Sequence, residues 1–340
     1  DSQMLAFNQG VTRRGSYATY QDISHPEIEE FLELRKPSGG DIHRKCLNLH
    51  HGVNISDKFM SIINQCTINP SANDDWELID PHTDKVIRTV SAKRLWQKIL
   101  ETRVATGEPY LSFIDTIQKS LPLSQKKLGL KVHHSNLCSE ITLPTSEERT
   151  AVCCLSSLNL EKYDEWKDDP KFIPDVVRFL DNVLEYFINN SPDSLSRAKY
   201  SAMRERSIGL GAMGFHSYLQ SKSIPFASVI ANRGSVRHLE QLNDWEKDVF
   251  ATAIEIDQRW IIDLAADRQK YICQSQSLNI FVPSDVNIKD LHLLHLTAWQ
   301  KGIKTLYYCR SEAIKRAEII STKIERIVRP DGDSDCLACE

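Results

Sequence analysis

Apolar residues recur at steps of three and four along several stretches of the chain, which is the spacing of one face of an α-helix. Ser91 stands directly before one such stretch and is a suitable N-cap for a helix. The apolar positions of that helix are Leu95, Trp96, Ile99 and Leu100. A second helix is predicted to begin at Ile173-Pro174, and a longer one is predicted over residues 244–266.

Short segments rich in β-forming residues lie between the predicted helices. Strands are expected at residues 136–143, 278–282 and 304–308, and a short acidic helix at residues 26–34. Strands that are separated by helices indicate an α/β fold with a mostly parallel sheet or barrel.

Composition and charge exclude several classes of protein. The 340 residues are 41% hydrophobic and 26% charged, as in globular proteins rather than fibrous or disordered ones. The 42 basic and 46 acidic residues leave a net charge of −4, so no strong field favours nucleic acid or a membrane surface. The sequence has no apolar run long enough for a membrane span and no signal peptide, so we expect a cytoplasmic protein. The first residue is Asp1 rather than Met, and we expect a fragment or a processed product.

Nine cysteines, an odd number, are scattered along the chain. Without a secretory signal, this pattern favours a reducing compartment with reactive or buried thiols over a disulfide framework. Cys153 and Cys154 are adjacent, and Cys336 and Cys339 form a CxxC motif at the C-terminus.

Asn136, Cys138 and Glu140 place an amide, a thiol and a carboxylate at alternate positions of a predicted strand. Because side chains alternate between the two faces of a strand, the three are expected on one face. A solvent-facing strand with an incidental cysteine would explain this pattern without any function. Alternatively, the three form a site in which Glu140 transfers protons, Cys138 reacts and Asn136 orients the substrate.

The terminal CxxC motif also has more than one interpretation. As half of a zinc site it needs two further ligands, which the doublet Cys153-Cys154 or a histidine pair would have to supply. As a redox dithiol on a mobile tail, it could reduce an interior disulfide and then be reduced by an external partner. An inert tail is the third alternative. We expect no metal site in the chain.

Two further motifs are weaker signals. Tyr307 and Tyr308 are adjacent in a predicted strand, where tyrosine is common for its β-propensity, and they matter only beside a radical or redox site. The GxGxxG motif at residues 209–214 follows no clear βαβ strand and has no acidic residue at the expected offset. Close backbone packing is a better interpretation than a dinucleotide site.

Six segments together resemble the large, catalytic subunit of class I (aerobic) ribonucleotide reductase, and the bacteriophage-type members are the most similar. They are NLCSEITLPT (136–145), CCLSSLNL (153–160), RERSIGLGAMGFHSYLQ (204–220), CQSQSLNIF (273–281), AWQKGIKTLYYCR (298–310) and the terminal CLAC. Six matches in the family's order over most of the chain make the resemblance specific. The resemblance implies a ten-stranded α/β barrel around a central finger loop, which here lies near residues 136–140, and a flexible C-terminal tail.

The resemblance also implies the chemistry of ribonucleoside diphosphate reduction to deoxyribonucleoside diphosphates. Cys138 matches the finger-loop cysteine that becomes a thiyl radical and abstracts the 3′ hydrogen of the substrate. Glu140 matches the base that takes the 3′-hydroxyl proton, and Asn136 matches the amide that binds the substrate. Cys153 matches one of two barrel cysteines that reduce the 2′ position, whereas Cys154 occupies a position usually held by a non-reactive residue.

Other residues match family positions that receive the radical, deliver electrons or relay the binding of effectors. Tyr307 and Tyr308 match the tyrosine pair that receives the radical from a metal-containing small subunit, so no cofactor is expected in this chain. Cys336 and Cys339 match the tail dithiol that thioredoxin or glutaredoxin reduces. Residues 35–45 resemble the loop that relays nucleotide effectors to the substrate. Its matching positions are Ser38, Gly39, Gly40 and Arg44.

Two departures from the family qualify these expectations. Relatives are longer at the N-terminus, where the partner of Cys153 lies, and a segment with the phosphate-binding loop is missing between Phe226 and Ser235. We therefore expect residues 1–328 to form a partial barrel domain and residues 329–340 a mobile redox tail. Activity is expected only with another chain that supplies the missing N-terminal half. The alternative is an inactive fragment that binds the small subunit or a thioredoxin-type reductant, and a zinc-binding structural protein is the weakest alternative.

Overall fold

The computed structural model describes residues 15–224, 243–249 and 253–311. Strands and helices alternate over this part of the chain. The strands are β1 (Ala18–Asp22), β2 (His50–Ile55), β3 (Asp75–Ile79), β4 (Val86–Ser91), β5 (Tyr110–Phe113), β6 (Cys154–Asn159), β7 (Ile208–Met213), β8 (Ile280–Val282), β9 (Thr305–Leu306) and β10 (Cys309–Ser311). The expected α/β class is confirmed.

Helices connect most of these strands. They are α1 (Ile28–Phe31), α2 (Asp57–Ile68), α3 (Ala92–Thr106), α4 (Ile114–Lys119), α5 (Leu123–Lys127), α6 (Tyr163–Trp166), α7 (Phe172–Asn190), α8 (Ser196–Glu205), α9 (Phe215–Ser221), α10 (Asp244–Val249), α11 (Gln258–Gln269) and α12 (Ile288–Gln300). Short 3₁₀ turns lie at Ile42–Arg44, Leu160–Lys162 and Asp193–Leu195.

The central sheet has the strand order β1-β2-β5-β9, in which the first three strands are parallel and β9 is antiparallel. Three two-stranded sheets accompany it: parallel pairs of β6 with β7 and of β8 with β10, and the antiparallel hairpin of β3 and β4. Within the described ranges these strands form an incomplete barrel.

The main hydrophobic core lies between the central sheet and the helices that follow its strands. Val53 and Ile55 of β2 and Leu111 and Phe113 of β5 are fully buried there. The apolar face of α3 packs on them through Leu95, Trp96, Ile99 and Leu100. The Ser91 side chain accepts a hydrogen bond from the Arg94 amide, so the predicted cap and helix are both confirmed.

The GxGxxG segment forms β7 and the turn into α9, where close backbone packing is confirmed. A side-chain carbon at Gly214 would lie 2.4 Å from Asn159 Oδ1 and 3.1 Å from the Glu161 amide. Gly214 also has φ +71°, a conformation that favours glycine. Close packing against residues 159–161 therefore requires glycine at this position.

Three predicted elements differ from the structure. Residues 136–143 form no strand, and residues 304–308 contribute only the two residues of β9. The long helix predicted over residues 244–266 is two helices, α10 and α11, because Asp257 leaves the helical conformation and caps the second one. An apolar pattern can continue in register across such a break, so the pattern alone did not reveal it. The acidic helix at residues 26–34 is confirmed only as the single turn α1.

Large apolar side chains stay exposed on the β6–β7 side of the molecule. Leu155 and Met213 of these strands are more than half exposed, as are Phe179 and Tyr186 of α7. Exposed apolar surface of this kind commonly marks a surface that contacts other protein. Among the residues that the structure describes, none of the helices has the length and apolar character needed to cross a bilayer.

Candidate active site

Residues 136–141 form a tight turn, which we call the finger-loop turn, rather than the predicted strand. The Ser139 amide donates to the Asn136 carbonyl at 3.1 Å, and the Asn136 amide donates to the Ile141 carbonyl at 3.1 Å. Ser139 has φ +68°. In a strand, Asn136 and Glu140 would lie about 13 Å apart. In the turn, Asn136 Nδ2 instead donates to Glu140 Oε1 at 2.8 Å. The turn brings Asn136 and Glu140 into contact, although the predicted strand is wrong.

Ser277 connects this turn to the segment before β8. Its Oγ lies 2.6 Å from the Cys138 carbonyl oxygen and 3.0 Å from Glu140 Oε2. The Ser275 amide donates to the Glu140 carbonyl at 2.9 Å. One short segment therefore fixes both the main chain that carries the thiol and the carboxylate.

Thr305 and Lys304 link the same region to the strand that leads to the tyrosines. Thr305 Oγ1 lies 2.9 Å from the Ser139 carbonyl oxygen. The buried Lys304 ammonium donates to the carbonyls of Ile272, Cys273 and Gln274 at 2.8–3.1 Å. Burial lowers the pKa of Lys304 to about 8. The sequence analysis did not single out Lys304, because nothing in the sequence around this lysine indicates that it is buried.

Cys153 lies directly before β6 and belongs to the same region. Burial, together with the charges of Cys154, Glu140 and Cys273, raises the pKa of its thiol to about 11, and a hydrogen bond with Gln274 opposes this rise. The thiol is therefore protonated at neutral pH. Because the electrostatic influence of Glu140 reaches this thiol, the structure places Cys153 in the neighbourhood of the finger-loop turn.

Tyr307 and Tyr308 follow β9, and their ring centroids lie 4.3 Å apart. The ring of Tyr110, at the start of β5, lies 4.7 Å from Tyr307 and 5.2 Å from Tyr308. Burial raises the pKa of Tyr307, and the charges of Tyr308 and Cys138 raise it further. Burial likewise raises the pKa of Tyr308 and of Tyr110. The three phenols are therefore neutral at neutral pH, and Tyr307 lies on the side of Cys138.

Arg103 of α3 fixes the main chain beneath these rings. Its fully buried guanidinium donates to the Tyr307 carbonyl at 3.1 Å, to the Pro109 carbonyl and to His295 Nε2 at 3.2 Å. In the sequence Arg103 is one polar residue among several in a predicted helix, so its hydrogen bonds to these carbonyls were not expected. A fully buried arginine is rare unless it is paired in this way.

The loop at residues 35–45 lies beside α1. Gly39 and Gly40 have φ +78° and +71°, which favours glycine at both positions. Ser38 is exposed, and Arg44 forms an ion pair with Glu30. Arg44 thereby connects the loop to α1, and its amide donates to the Asp41 carbonyl within the loop.

Cys336 and Cys339 lie outside the described residues, as does the segment between Phe226 and Ser235 where the phosphate-binding loop is missing. Within the described ranges, no group of three or more His, Cys, Asp or Glu side chains is arranged to bind a metal ion.

Comparison with known proteins identifies the family of the chain. A family model described as "Ribonucleotide reductase, barrel domain" matches residues 1–235 and 228–309. The ribonucleoside-diphosphate reductase large subunit of Invertebrate iridescent virus 3 is 36% identical over 496 aligned residues, covering 100% of this chain and 78% of that protein. A putative large subunit from Frog virus 3 is 37% identical, covering 100% of this chain and 77% of that protein.

A solved structure is similar as well. The class Id ribonucleotide reductase alpha subunit of Actinobacillus ureae superimposes with a TM-score of 0.74 at 30% identity, covering 87% of this chain and 71% of that one. The fold and the family match thus define an oxidoreductase with the ribonucleotide reductase barrel domain. The chain belongs to the ribonucleotide reductase large-subunit family and is a catalytic component of a ribonucleoside-diphosphate reductase.

Replacement of Lys304 should show how much its three hydrogen bonds contribute to the fold. Lys304→Met leaves three carbonyls without their donor, and we expect the free energy of unfolding to fall by about 2–3 kcal/mol. The matched control is Lys301→Met, which removes an exposed ion pair with Asp263 and should cost about 0.5 kcal/mol or less. Denaturant unfolding of both variants measures the difference, and equal losses would contradict the assigned role.

Proposed function

We propose that this chain reduces ribonucleoside diphosphates with a thiyl radical on Cys138. The observation that carries the proposal is the finger-loop turn, in which Asn136 donates to Glu140 and the charge of the intervening Cys138 reaches Tyr307. A thiol, a carboxylate and an amide in one rigid turn, next to neutral phenols, are suited to radical chemistry and proton transfer together.

Radical entry uses the tyrosine pair. An oxidant in the metal-containing small subunit removes one electron and one proton from Tyr308. Tyr308 then takes a hydrogen atom from Tyr307, and Tyr307 takes one from the Cys138 thiol. Burial supports this route, because it keeps both phenols protonated, and each step then moves a neutral hydrogen atom without creating a buried charge.

The substrate reacts at the finger-loop turn. The Cys138 thiyl abstracts the 3′ hydrogen, and Glu140 takes the proton of the 3′-hydroxyl. The 2′-hydroxyl leaves as water after it receives a proton from a thiol. Two thiols supply the two electrons and form a disulfide, and the hydrogen of the second thiol goes to the 2′ carbon. Glu140 returns its proton to the 3′ oxygen, and the 3′ hydrogen returns from Cys138. Cys153 fits the role of one such thiol, because its raised pKa keeps the proton that it has to donate.

Another chain, in this proposal, completes the barrel. The open arrangement of strands and the exposed apolar side chains of β6, β7 and α7 support this part. That chain would supply the second redox thiol and a loop for the substrate phosphates. The two matches to the family model overlap at residues 228–235, and the iridescent-virus alignment spans 496 positions, so relatives have internal segments without a counterpart here.

The same proposal extends to the domains, the reductants, the nucleotide effectors and the location of the protein. Residues 1–328 would form the barrel domain and residues 329–340 the redox tail, with Cys336 and Cys339 reduced by thioredoxin or glutaredoxin. Nucleotide effectors would act through the loop that holds Ser38 and Arg44, with Gly39 and Gly40 providing its backbone freedom. We place the protein in the cytoplasm, or in the host cytoplasm if a virus encodes it.

A reductant comparison tests the proposed function. With Cys336 and Cys339 both replaced by Ser, the complete assembly should no longer convert labelled ribonucleoside diphosphate when thioredoxin is the reductant. A small dithiol that enters the barrel should still support turnover, because it reduces the interior disulfide directly. The unchanged chain serves as the control with both reductants. Equal loss with both would show that the tail pair is structural, and no turnover by the unchanged assembly would refute the proposed function.

A further inference from the structure

A buried carboxylate lies next to the radical tyrosines and has no part in the steps above. Glu108, between α3 and β5, is fully buried. Its Oε1 lies 2.6 Å from His50 Nδ1 and 3.3 Å from Arg35 Nη2, and its Oε2 accepts from the His51 amide at 2.9 Å. The Arg35 guanidinium and the His51 amide are both donors to this carboxylate, so Glu108 Oε1 faces His50 as a hydrogen-bond acceptor.

The partners of Glu108 fix the proton on His50. Because Glu108 accepts the hydrogen bond, His50 Nδ1 must carry the hydrogen. The Tyr308 hydroxyl oxygen lies 3.3 Å from the same Nδ1 atom, where it is a second acceptor for that hydrogen. The imidazole also stacks on Tyr110 at 6.1 Å and meets the Tyr308 ring edge-on at 6.1 Å.

We infer that His50, oriented by Glu108, is a positioning residue that fixes the Tyr308 oxygen through a donated hydrogen bond and so sets how readily Tyr308 gives up its hydrogen. This inference rests on the proposed radical route through Tyr308. We call the two residues the Glu108–His50 dyad. The phenol proton points away from the dyad, because His50 offers a donor and no acceptor at that atom.

The other groups around Tyr308 leave this role to the dyad. The Arg310 guanidinium lies over the Tyr308 ring at 4.9 Å from its centroid, so it contacts the ring face. Arg35 affects Tyr308 through its charge, and its hydrogen bonds go to the carbonyls of Leu47 and Leu49. Hydrogen bonds with Tyr110 and Tyr307 also lower the pKa of Tyr308, but these phenols lie on β5 and directly before Tyr308 rather than on β2.

A spectroscopic titration tests the inference without turnover. In the full chain, Tyr308 is replaced by 3-nitrotyrosine, whose phenolate alone absorbs visible light, and its pKa is read from the absorbance. His50→Phe keeps the stacked ring but removes the donor, so the phenolate loses a hydrogen bond and its pKa should rise by about one unit. His82→Phe, in an exposed turn, is the control and should leave the pKa unchanged.

A second pair of variants covers the case in which His50→Phe does not fold. Asn and Leu have nearly the same shape, and Asn can place an N–H group where Nδ1 lies. The nitrophenol pKa should therefore be about one unit lower in His50→Asn than in His50→Leu. An equal pKa in both would overturn the inference and leave His50 a packing role.

Turnover gives an independent readout. In the complete assembly, His50→Phe should lower kcat about tenfold, as one pKa unit corresponds to 1.36 kcal/mol, and leave KM for the substrate unchanged. A raised KM with an unchanged kcat would contradict the inference. If Tyr308→Phe keeps full activity, the radical route fails while the titration result stands. If Tyr308→Phe is inactive and the titration shows no shift, the inference about His50 alone fails.

Discussion

Cys138→Ser is expected to form no deoxyribonucleotide, a loss of roughly a thousandfold or more in turnover. An O–H bond is stronger than an S–H bond, so a tyrosyl radical cannot take the hydrogen atom of serine at a useful rate. Folding should be nearly unaffected, because the hydrogen bond from Ser277 goes to the main-chain carbonyl at position 138, which serine keeps. The assay follows labelled ribonucleoside diphosphate in the complete assembly.

Two controls make this result specific to the radical. Cys66→Ser removes a buried thiol of α2 outside the site and should keep turnover near that of the unchanged protein. Equilibrium dialysis should show that Cys138→Ser still binds the substrate with an affinity close to normal. Residual turnover within about tenfold of the unchanged protein would refute the thiyl assignment.

The chain without a completing partner is expected to have no reductase activity, even when a competent small subunit is present. Reduction of the 2′ carbon consumes two electrons from two thiols, and Cys153 is the one thiol that we assign. Cys154 is its neighbour in sequence, and a disulfide between adjacent residues needs a strained geometry. The exposed apolar side chains of β6 and α7 should also make the lone chain associate or aggregate.

A reconstitution assay with and without the completing chain measures this prediction. Addition of a chain that carries the missing strands, thiol and phosphate loop should restore multiple turnovers. Steady turnover by the lone chain would contradict the proposal that another chain completes the enzyme. Cys273→Ser would then test whether Cys273, whose charge reaches Cys153, is the second thiol. Inactivity in every combination would favour the inactive-fragment alternative.

Local signals in the sequence were sufficient for some elements. The helix after Ser91 has a cap, a continuous apolar face and Gly107 at its end with φ +83°, so each local preference agrees with the tertiary structure. The finger-loop turn has no such signal. Its residues alternate as in a strand, and the hydrogen bonds that anchor the turn come from Ser277 and Thr305, which are distant in sequence.

The candidate site likewise contains residues that the sequence pointed to and residues that it did not. Resemblance to a family drew attention to Cys138, Glu140 and the two tyrosines, because in that family the residues at those positions touch the substrate or carry the radical. The positions of Lys304 and Arg103 depend on burial, and burial of a single cation is decided by carbonyls that come from several segments. A local pattern of residues cannot indicate such contacts.

The anchors of the finger-loop turn have a consequence for the synthesis of the protein. Ser277 is 139 positions beyond Cys138, and Thr305 is 166 positions beyond Ser139. At the usual rates of translation, the ribosome needs roughly 8–30 s to add that length. During this interval the nascent chain carries the thiol of the proposed radical before the residues that fix its position exist. A cell that makes this protein under oxidative stress would therefore expose Cys138 to damage at every round of translation, before the site is assembled.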